Sequence, residues 1–255
     1  MKYKACIFDQ DGTIYLGNRL IPGAAEAISR LRACDTRTIF LSNNPTKTRE
    51  QYAKKLTMLG IPTDVDDIVN SSYVMVQWLK ANTPGACLYV IGEAAITGEL
   101  TEAGFTLSEK TGKVNVVVAS FDRTFDYHKL QVAFNAINAG ARFVATNPDR
   151  YCPTPTGGEP DCAAIIAALE ACTGVTCNPV VGKPSPIMVK TIMEKLGLPP
   201  EDCLMVGDRL ETDIRMGIEA GMDTCLVLTG DADQEKLEKS GLKPTMVLES
   251  IADLL

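Results

Sequence analysis

The sequence predicts an α/β protein, a doubly wound parallel sheet with a second, smaller α/β layer inserted in it. Three observations carry this. Short apolar runs alternate with segments of helical period along the whole chain. Four of the runs, residues 3–8, 38–41, 179–181 and 203–206, each stop at a cluster of polar residues. Between the second and third of these lies a long stretch with its own series of strands and helices.

In chain order, residues 3–8 read as a short buried strand and 24–33 as a helix. Strand 38–41 follows, and Tyr52, Leu56 and Leu59 then form an i, i+4, i+7 stripe closed by Gly60 as a helix C-cap. Turn residues gather at 81–85 and at 173–178, where hinges are expected. Between them the pattern gives strand 87–91, helix 93–103, strand 114–120, helix 127–138 and strand 142–145. The expected division is therefore a first domain of residues 1–80 and 179–255, with 81–178 inserted. In the last third, Val189, Ile192, Met193 and Leu196 give an apolar helical face. There are no internal repeats or low-complexity tracts.

The chain has 255 residues, 45% of them apolar, enough for one large or two smaller domains with a sizeable core. It has no apolar stretch long enough to span a bilayer and no basic, apolar leader, so a cytoplasmic protein without membrane contact is expected. A net charge of −7 with no concentrated basic patch argues against nucleic acid and for a small-molecule partner. The nine cysteines are dispersed without a Cys-x-x-Cys pair and read as reduced thiols. With one histidine, His128, expected on an exposed helix face, a zinc site or a histidine triad has little to work with.

The polar clusters hold the chemistry. Asp9 and Asp11 lie two residues apart in Asp9-Gln10-Asp11-Gly12-Thr13. Crowded carboxylates repel unless a cation or proton separates them, and Gly12 lets the backbone turn beneath them. Alone, such a pair also suits an ordinary capped turn. The other clusters are Ser42-Asn43-Asn44, Gly182-Lys183-Pro184, and Gly207-Asp208 followed by Thr212-Asp213. Ligands bind outside the carboxyl ends of the strands of an open parallel sheet, so the four tips are expected in one crevice. Their contents agree: carboxylates for a divalent metal, a hydroxyl and amides for anionic oxygens, a lysine to balance charge. A calcium loop counted from Asp9 fails, because its sixth and twelfth positions are Ile14 and Leu20. Gly92, after Val90-Ile91, lacks the glycine spacing of a dinucleotide site.

In this order the four clusters resemble the signature motifs of the haloacid dehalogenase (HAD) superfamily phosphatases. The insert, with Tyr89-Val90-Ile91-Gly92, Phe121-Asp122-Arg123 and Ala145-Thr146-Asn147-Pro148-Asp149, is similar to the large type C2 α/β cap of the NagD and p-nitrophenyl phosphatase branch. The resemblance implies a Rossmann-like HAD core with an inserted cap, and Mg2+-dependent hydrolysis of small phosphate monoesters through an aspartyl-phosphate. It implies that Asp9 attacks phosphorus and that Asp11 protonates the leaving oxygen and then activates water. Asp9, the backbone carbonyl of Asp11 and Asp208 would ligate Mg2+. Asp213 would hold a metal-bound water or orient Lys183; the alternative is a plain acid at a helix start. Ser42 and the Asn43 amide would bind the phosphoryl group, with Lys183 balancing its charge.

The resemblance implies a small phosphorylated metabolite as substrate: the family it resembles turns over nucleoside monophosphates, sugar phosphates, phosphoglycolate and pyridoxal phosphate. Residues 147–161 read as a long, proline-stiffened connection. In the resembled caps the corresponding loop descends over the active site, so Asn147, Asp149, Arg150, Tyr151 and Cys152 are the candidates for substrate selection. Caps of this type often form dimer contacts, which leaves a homodimer open. Two alternatives stand beside hydrolysis. A phosphomutase shares the intermediate but shields it from water. A non-enzymatic phospho-accepting signalling domain also uses acids, a hydroxyl and a lysine at strand ends, but is about half this length and lacks the insert.

Overall fold

The computed structural model describes residues 2–154 and 157–254, and the chain divides into two compact units. The first comprises Met1–Ser42, Arg49–Val69 and Lys183–Leu255; the second comprises Asn43–Thr48 and Asn70–Gly182.

The first unit opens with β1 (Ala5–Asp9), buried along its whole length as a strand covered on both faces must be. A short hairpin, β2 (Tyr15–Leu16) and β3 (Arg19–Leu20), leads to α1 (Ala24–Ala33). This helix turns Ala24, Ala27, Ile28 and Leu31 inward at helical spacing. Next come β4 (Arg37–Ser42) and α2 (Arg49–Met58), which buries Tyr52 and Leu56 and ends at Gly60 as its stripe predicts. Strand β5 (Ile68–Asn70) closes this passage.

The second unit begins at α3 (Ser71–Asn82), whose N-cap Asn70 accepts from the Tyr73 N–H at 2.9 Å. The series continues with β6 (Cys87–Ile91), α4 (Ala94–Glu102), β7 (Thr106–Leu107), β8 (Val116–Ala119), α5 (Tyr127–Asn138) and β9 (Arg142–Ala145). The sheet is β7-β6-β8-β9, parallel throughout. The division thus falls ahead of α3, not at the expected hinge 81–85. The physical reason is that α3 packs on the inserted layer: it lies against α4, and the Arg142 guanidinium sits 4.5 Å from the Trp78 ring centre.

Residues 147–161, expected as a long, proline-stiffened loop, are not loop throughout. They hold an antiparallel pair, β10 (Tyr151–Thr154) and β11 (Gly157–Pro160), with Cys152 opposite Glu159. The prolines that argued for a loop are tolerated because each strand has a single partner. Pro155 and Thr156 lie outside the described residues. Helix α6 (Cys162–Thr173) follows. Residues 179–181, expected as a strand of the first sheet, instead continue the edge of β9. Ala145 N–H donates to Pro179 C=O at 3.1 Å, and Val181 N–H donates to Ala145 C=O at 3.0 Å. Pro179 has no N–H with which to extend the ladder, so the segment makes one bridge and stays with the second unit.

The chain returns to the first unit at Lys183 and enters α7 (Pro186–Leu196), capped by Ser185 with Pro at its first turn. It buries Met188, Ile192 and Leu196, flanked by half-buried Val189 and Met193. Then come β12 (Cys203–Gly207), α8 (Arg215–Ala220), β13 (Asp223–Val227), α9 (Gln234–Ser240) and β14 (Met246–Leu248). The six strands run β14-β13-β12-β1-β4-β5, with β1 parallel to both β4 and β12. Strand order reverses at β1, which makes its carboxyl end the topological switch point. Phe8 pairs in register with Phe40 and Val206, so Asp9, Ser42 and Asp208 come out at one edge. All nine cysteines are free thiols, and His128 is exposed on α5. Among the described residues no helix is long and apolar enough to cross a membrane.

Candidate active site

The site is built at the end of β1. Immediately after Asp9 the Gln10 carbonyl accepts from the N–H groups of Ile14 (2.8 Å) and Tyr15 (3.2 Å), which coils the chain into one tight turn. Gly12 makes that turn possible: its φ is +88°, and a Cβ there would lie 2.6 Å from Asp208 Cγ. Asp11 falls in the turn with its side chain exposed.

Asp208 follows β12. Its Oδ2 accepts from the Asp231 N–H at 2.7 Å and its Oδ1 from the Thr13 hydroxyl at 3.4 Å. Asp213 lies in a wide helical turn, Leu210–Ile214, whose last N–H reaches back to the Arg209 carbonyl. This π-type turn carries the carboxyl inward and fully buries it, so the plain helix-start reading does not hold. Lys183, 3% exposed, places its Nζ 2.5 Å from Asp9 Oδ1 and 2.7 Å from Asp213 Oδ1. Ser42 is buried at the end of β4, its Oγ 3.4 Å from the Tyr52 hydroxyl.

Three carboxylates and one ammonium leave negative charge in excess. Burial, then the neighbouring charges of Asp9 and Asp213, push Asp208 well above the ordinary carboxylate range. Burial likewise raises Asp213 to about 6, although Lys183 pulls it down. For Lys183, burial alone would lower the pKa, but the Asp213 and Asp9 carboxylates outweigh it and keep the amine protonated.

Asp9, Asp208 and Asp213 each offer a carboxylate oxygen within 4.8 Å of the others. An all-oxygen, strained set of this kind fits a hard divalent cation and not a thiophilic one. Both oxygens of Asp213 already have donors of this chain, Lys183 on Oδ1 and the Arg209 N–H on Oδ2 at 3.1 Å.

The remaining predicted residues lie in the second unit. The Asn43 carbonyl accepts from Ser71 Oγ at 2.6 Å and from Asn147 Nδ2 at 3.1 Å, while its own Nδ2 donates to Asp149 Oδ1 at 3.2 Å. Asn44 donates to Cys152 Sγ at 3.5 Å. Asn147 is fully buried, whereas Arg150 is exposed and Tyr151 is 47% exposed. The five candidates for substrate selection therefore separate into three bound to the 43–44 segment and two open to solvent. Nearby, Asp122 is paired with Lys129 at 2.6 Å, and Arg123 meets both oxygens of Glu93 at 2.7 Å.

Sequence reasoning missed the segment after β13. Thr229 Oγ1 donates to the Gly12 carbonyl at 2.5 Å, Asp231 holds Asp208, and a Cβ on Gly230 would lie 2.5 Å from Asp208 Cγ. The signal was present, since Thr229-Gly230 is another polar tip beyond an apolar run. Its lack of any charged or amide ligand in the first two positions hid it among ordinary turns.

The chain is similar to proteins of known family and structure. The family described as haloacid dehalogenase-like hydrolase matches residues 6–106, and a second, HAD-hydrolase-like family matches 180–254. The sugar-phosphatase AraL of Bacillus subtilis is 40% identical over 248 residues, covering 97% of this chain and 90% of that protein. The 4-nitrophenylphosphatase of Thermotoga maritima superposes with a TM-score of 0.95 at 34% identity, covering 99% of this chain and 96% of its own. NagD of E. coli K-12 does so at 0.91 and 30%, covering 99% and 98%.

Proposed function

Because the chain belongs to the haloacid dehalogenase-like hydrolases and is a phosphoric monoester hydrolase of that type, we propose that it hydrolyses sugar phosphates with Asp9 as nucleophile. The observation that carries the reading is Asp9 at the switch-point end of β1, held at 2.5 Å by buried Lys183 and grouped with Asp208 and Asp213. Membership in this enzyme family removes the phospho-accepting signalling domain from consideration. The relatives' phosphatase names support hydrolysis over a mutase.

In this mechanism Lys183 and the turn at Gln10 fix the Asp9 carboxylate so that one oxygen is aimed at phosphorus. The Asp9 oxygen forms a bond to phosphorus as the ester oxygen leaves, and Asp11 gives that oxygen its proton. Asp11, exposed in the turn, then takes a proton from water as the water attacks the aspartyl-phosphate and releases Asp9. Ser42 Oγ and the Asn43 N–H donate to the phosphoryl oxygens, and the Lys183 ammonium offsets their charge. Asp9, Asp208 and the Asp11 carbonyl would hold Mg2+, which supplies positive charge against the phosphate dianion. Asp213 orients Lys183. Arg150 and Tyr151 are the residues for the leaving group, since a guanidinium can donate to sugar hydroxyls and an aromatic face can pack on a sugar ring. Ranking kcat/KM over a panel of phosphorylated metabolites tests the substrate class: sugar phosphates are expected first, and a nucleotide or pyridoxal phosphate well ahead of them would overturn it. Chelation should abolish turnover and Mg2+ restore it; full activity in excess EDTA would refute the cation.

A further inference from the structure

Asn43 is gripped from several sides within the second unit. Its carbonyl takes two hydrogen bonds, from Ser71 Oγ and Asn147 Nδ2, and its amide nitrogen is held by Asp149. Asn147 Oδ1 in turn accepts from the Asp149 N–H at 3.0 Å, so the two residues brace each other. Gly182 completes the cradle: a Cβ there would lie 2.5 Å from the Thr146 carbonyl, 2.7 Å from Asn43 Oδ1 and 3.0 Å from Asn147 Cβ. Asn147 is fully buried and Asn43 nearly so. A carboxylate anchoring a neutral amide is a charge-assisted contact that fixes orientation as well as distance.

We propose that Asp149, braced by Asn147, is a positioning residue for phosphoryl binding. It locks Asn43 in the orientation from which the Asn43 N–H meets the phosphate, and it does not read the leaving group. This rests on the proposed role of that N–H. It reassigns two of the five residues expected to select substrate, because side chains committed to Asn43 act on what every phosphate ester shares.

The test compares Asp149→Ala and Asp149→Asn with the wild type. Affinity for inorganic phosphate is measured by calorimetry in the Mg2+-loaded protein, and KM and kcat are measured for p-nitrophenyl phosphate and for the best sugar phosphate. Asp149→Ala should weaken inorganic phosphate about tenfold, as expected for one hydrogen bond to a charged group. KM should rise by a similar factor for both substrates, with kcat changed by less. Asp149→Asn keeps an oxygen acceptor for the Asn43 amide and should recover most of the loss. A fall confined to the sugar phosphate, with phosphate affinity unchanged, would overturn the proposal. So would an Asp149→Asn variant as weak as Asp149→Ala while both melt like the wild type. Phosphate affinity reads the proposal directly, whereas absence of turnover in the wild type would instead refute the enzymatic reading.

Discussion

Replacing Lys183 by Met removes the ammonium that both Asp9 and Asp213 contact, at 2.5 and 2.7 Å, from a site where Lys183 is 3% exposed. Methionine fills a similar volume, so the loss is electrostatic. Breaking a buried ion pair from one side typically costs about 3–5 kcal/mol. Protonation sets a ceiling for each orphaned carboxylate. From an ordinary value of about 3.9, taking up a proton costs ~5 kcal/mol at a pH of about 7.5 and ~2 kcal/mol at about 5.5. The sign follows from linkage. Without Lys183 the folded-state pKa of Asp213 rises beyond its present value of about 6, so the native variant binds more protons than its unfolded chain. Its stability is therefore present at low pH and lost as pH rises. Urea melts of both proteins in EDTA at these two pH values should give a destabilisation of about 3–5 kcal/mol at the higher pH, shrinking to about 2 or less at the lower. A difference under about 1 kcal/mol, or one independent of pH, would refute the view that Lys183 neutralises a buried acidic cluster.

Asp208→Asn should raise the melting temperature in EDTA at neutral pH, by the equivalent of about 1–3 kcal/mol, because it relieves a buried carboxylate repelled by Asp9 and Asp213; turnover should be lost. A lower melting temperature would contradict that reading. Gly230→Ala drives a Cβ to within 2.5 Å of Asp208 Cγ and should cost about 1–3 kcal/mol along with most of the activity, read by melts and by p-nitrophenyl phosphate turnover. Arg150→Ala with Tyr151→Ala should lower kcat/KM for the best sugar phosphate far more than for p-nitrophenyl phosphate. Equal falls would remove them from leaving-group recognition.

Much of both units was legible because their elements obey local rules. The bounds of α1 and α5, and of β6 and β9, follow from apolar spacing closed by turn residues. The tips after β1, β4 and β12 were legible because strand ends in a parallel sheet collect ligands whatever the intervening chain does. What escaped was set by tertiary partners. Nothing local says that α3 packs with the inserted layer, or that residues 179–181 pair with β9. The hairpin of β10 and β11 was hidden by prolines that usually argue against strands. Asp213 was read as orienting Lys183 or holding a metal-bound water, with a plain helix-start acid as the alternative, because the π-type turn that buries it is not visible in the spacing. Asn147 and Asp149 looked like loop residues because their partner, Asn43, is more than a hundred positions away.

The central claim is that Asp9 carries the phosphoryl group. Asp11→Asn isolates that step, because p-nitrophenolate leaves without an acid while the aspartyl-phosphate still needs a base to be hydrolysed. Rapid mixing of Asp11→Asn with p-nitrophenyl phosphate and Mg2+ should release a burst approaching one p-nitrophenolate per chain, followed by slow turnover. Acid quench should find the phosphate on Asp9, and Asp9→Asn should give neither burst nor label. A linear release with no bound phosphate, or phosphate recovered on another residue, would contradict the account.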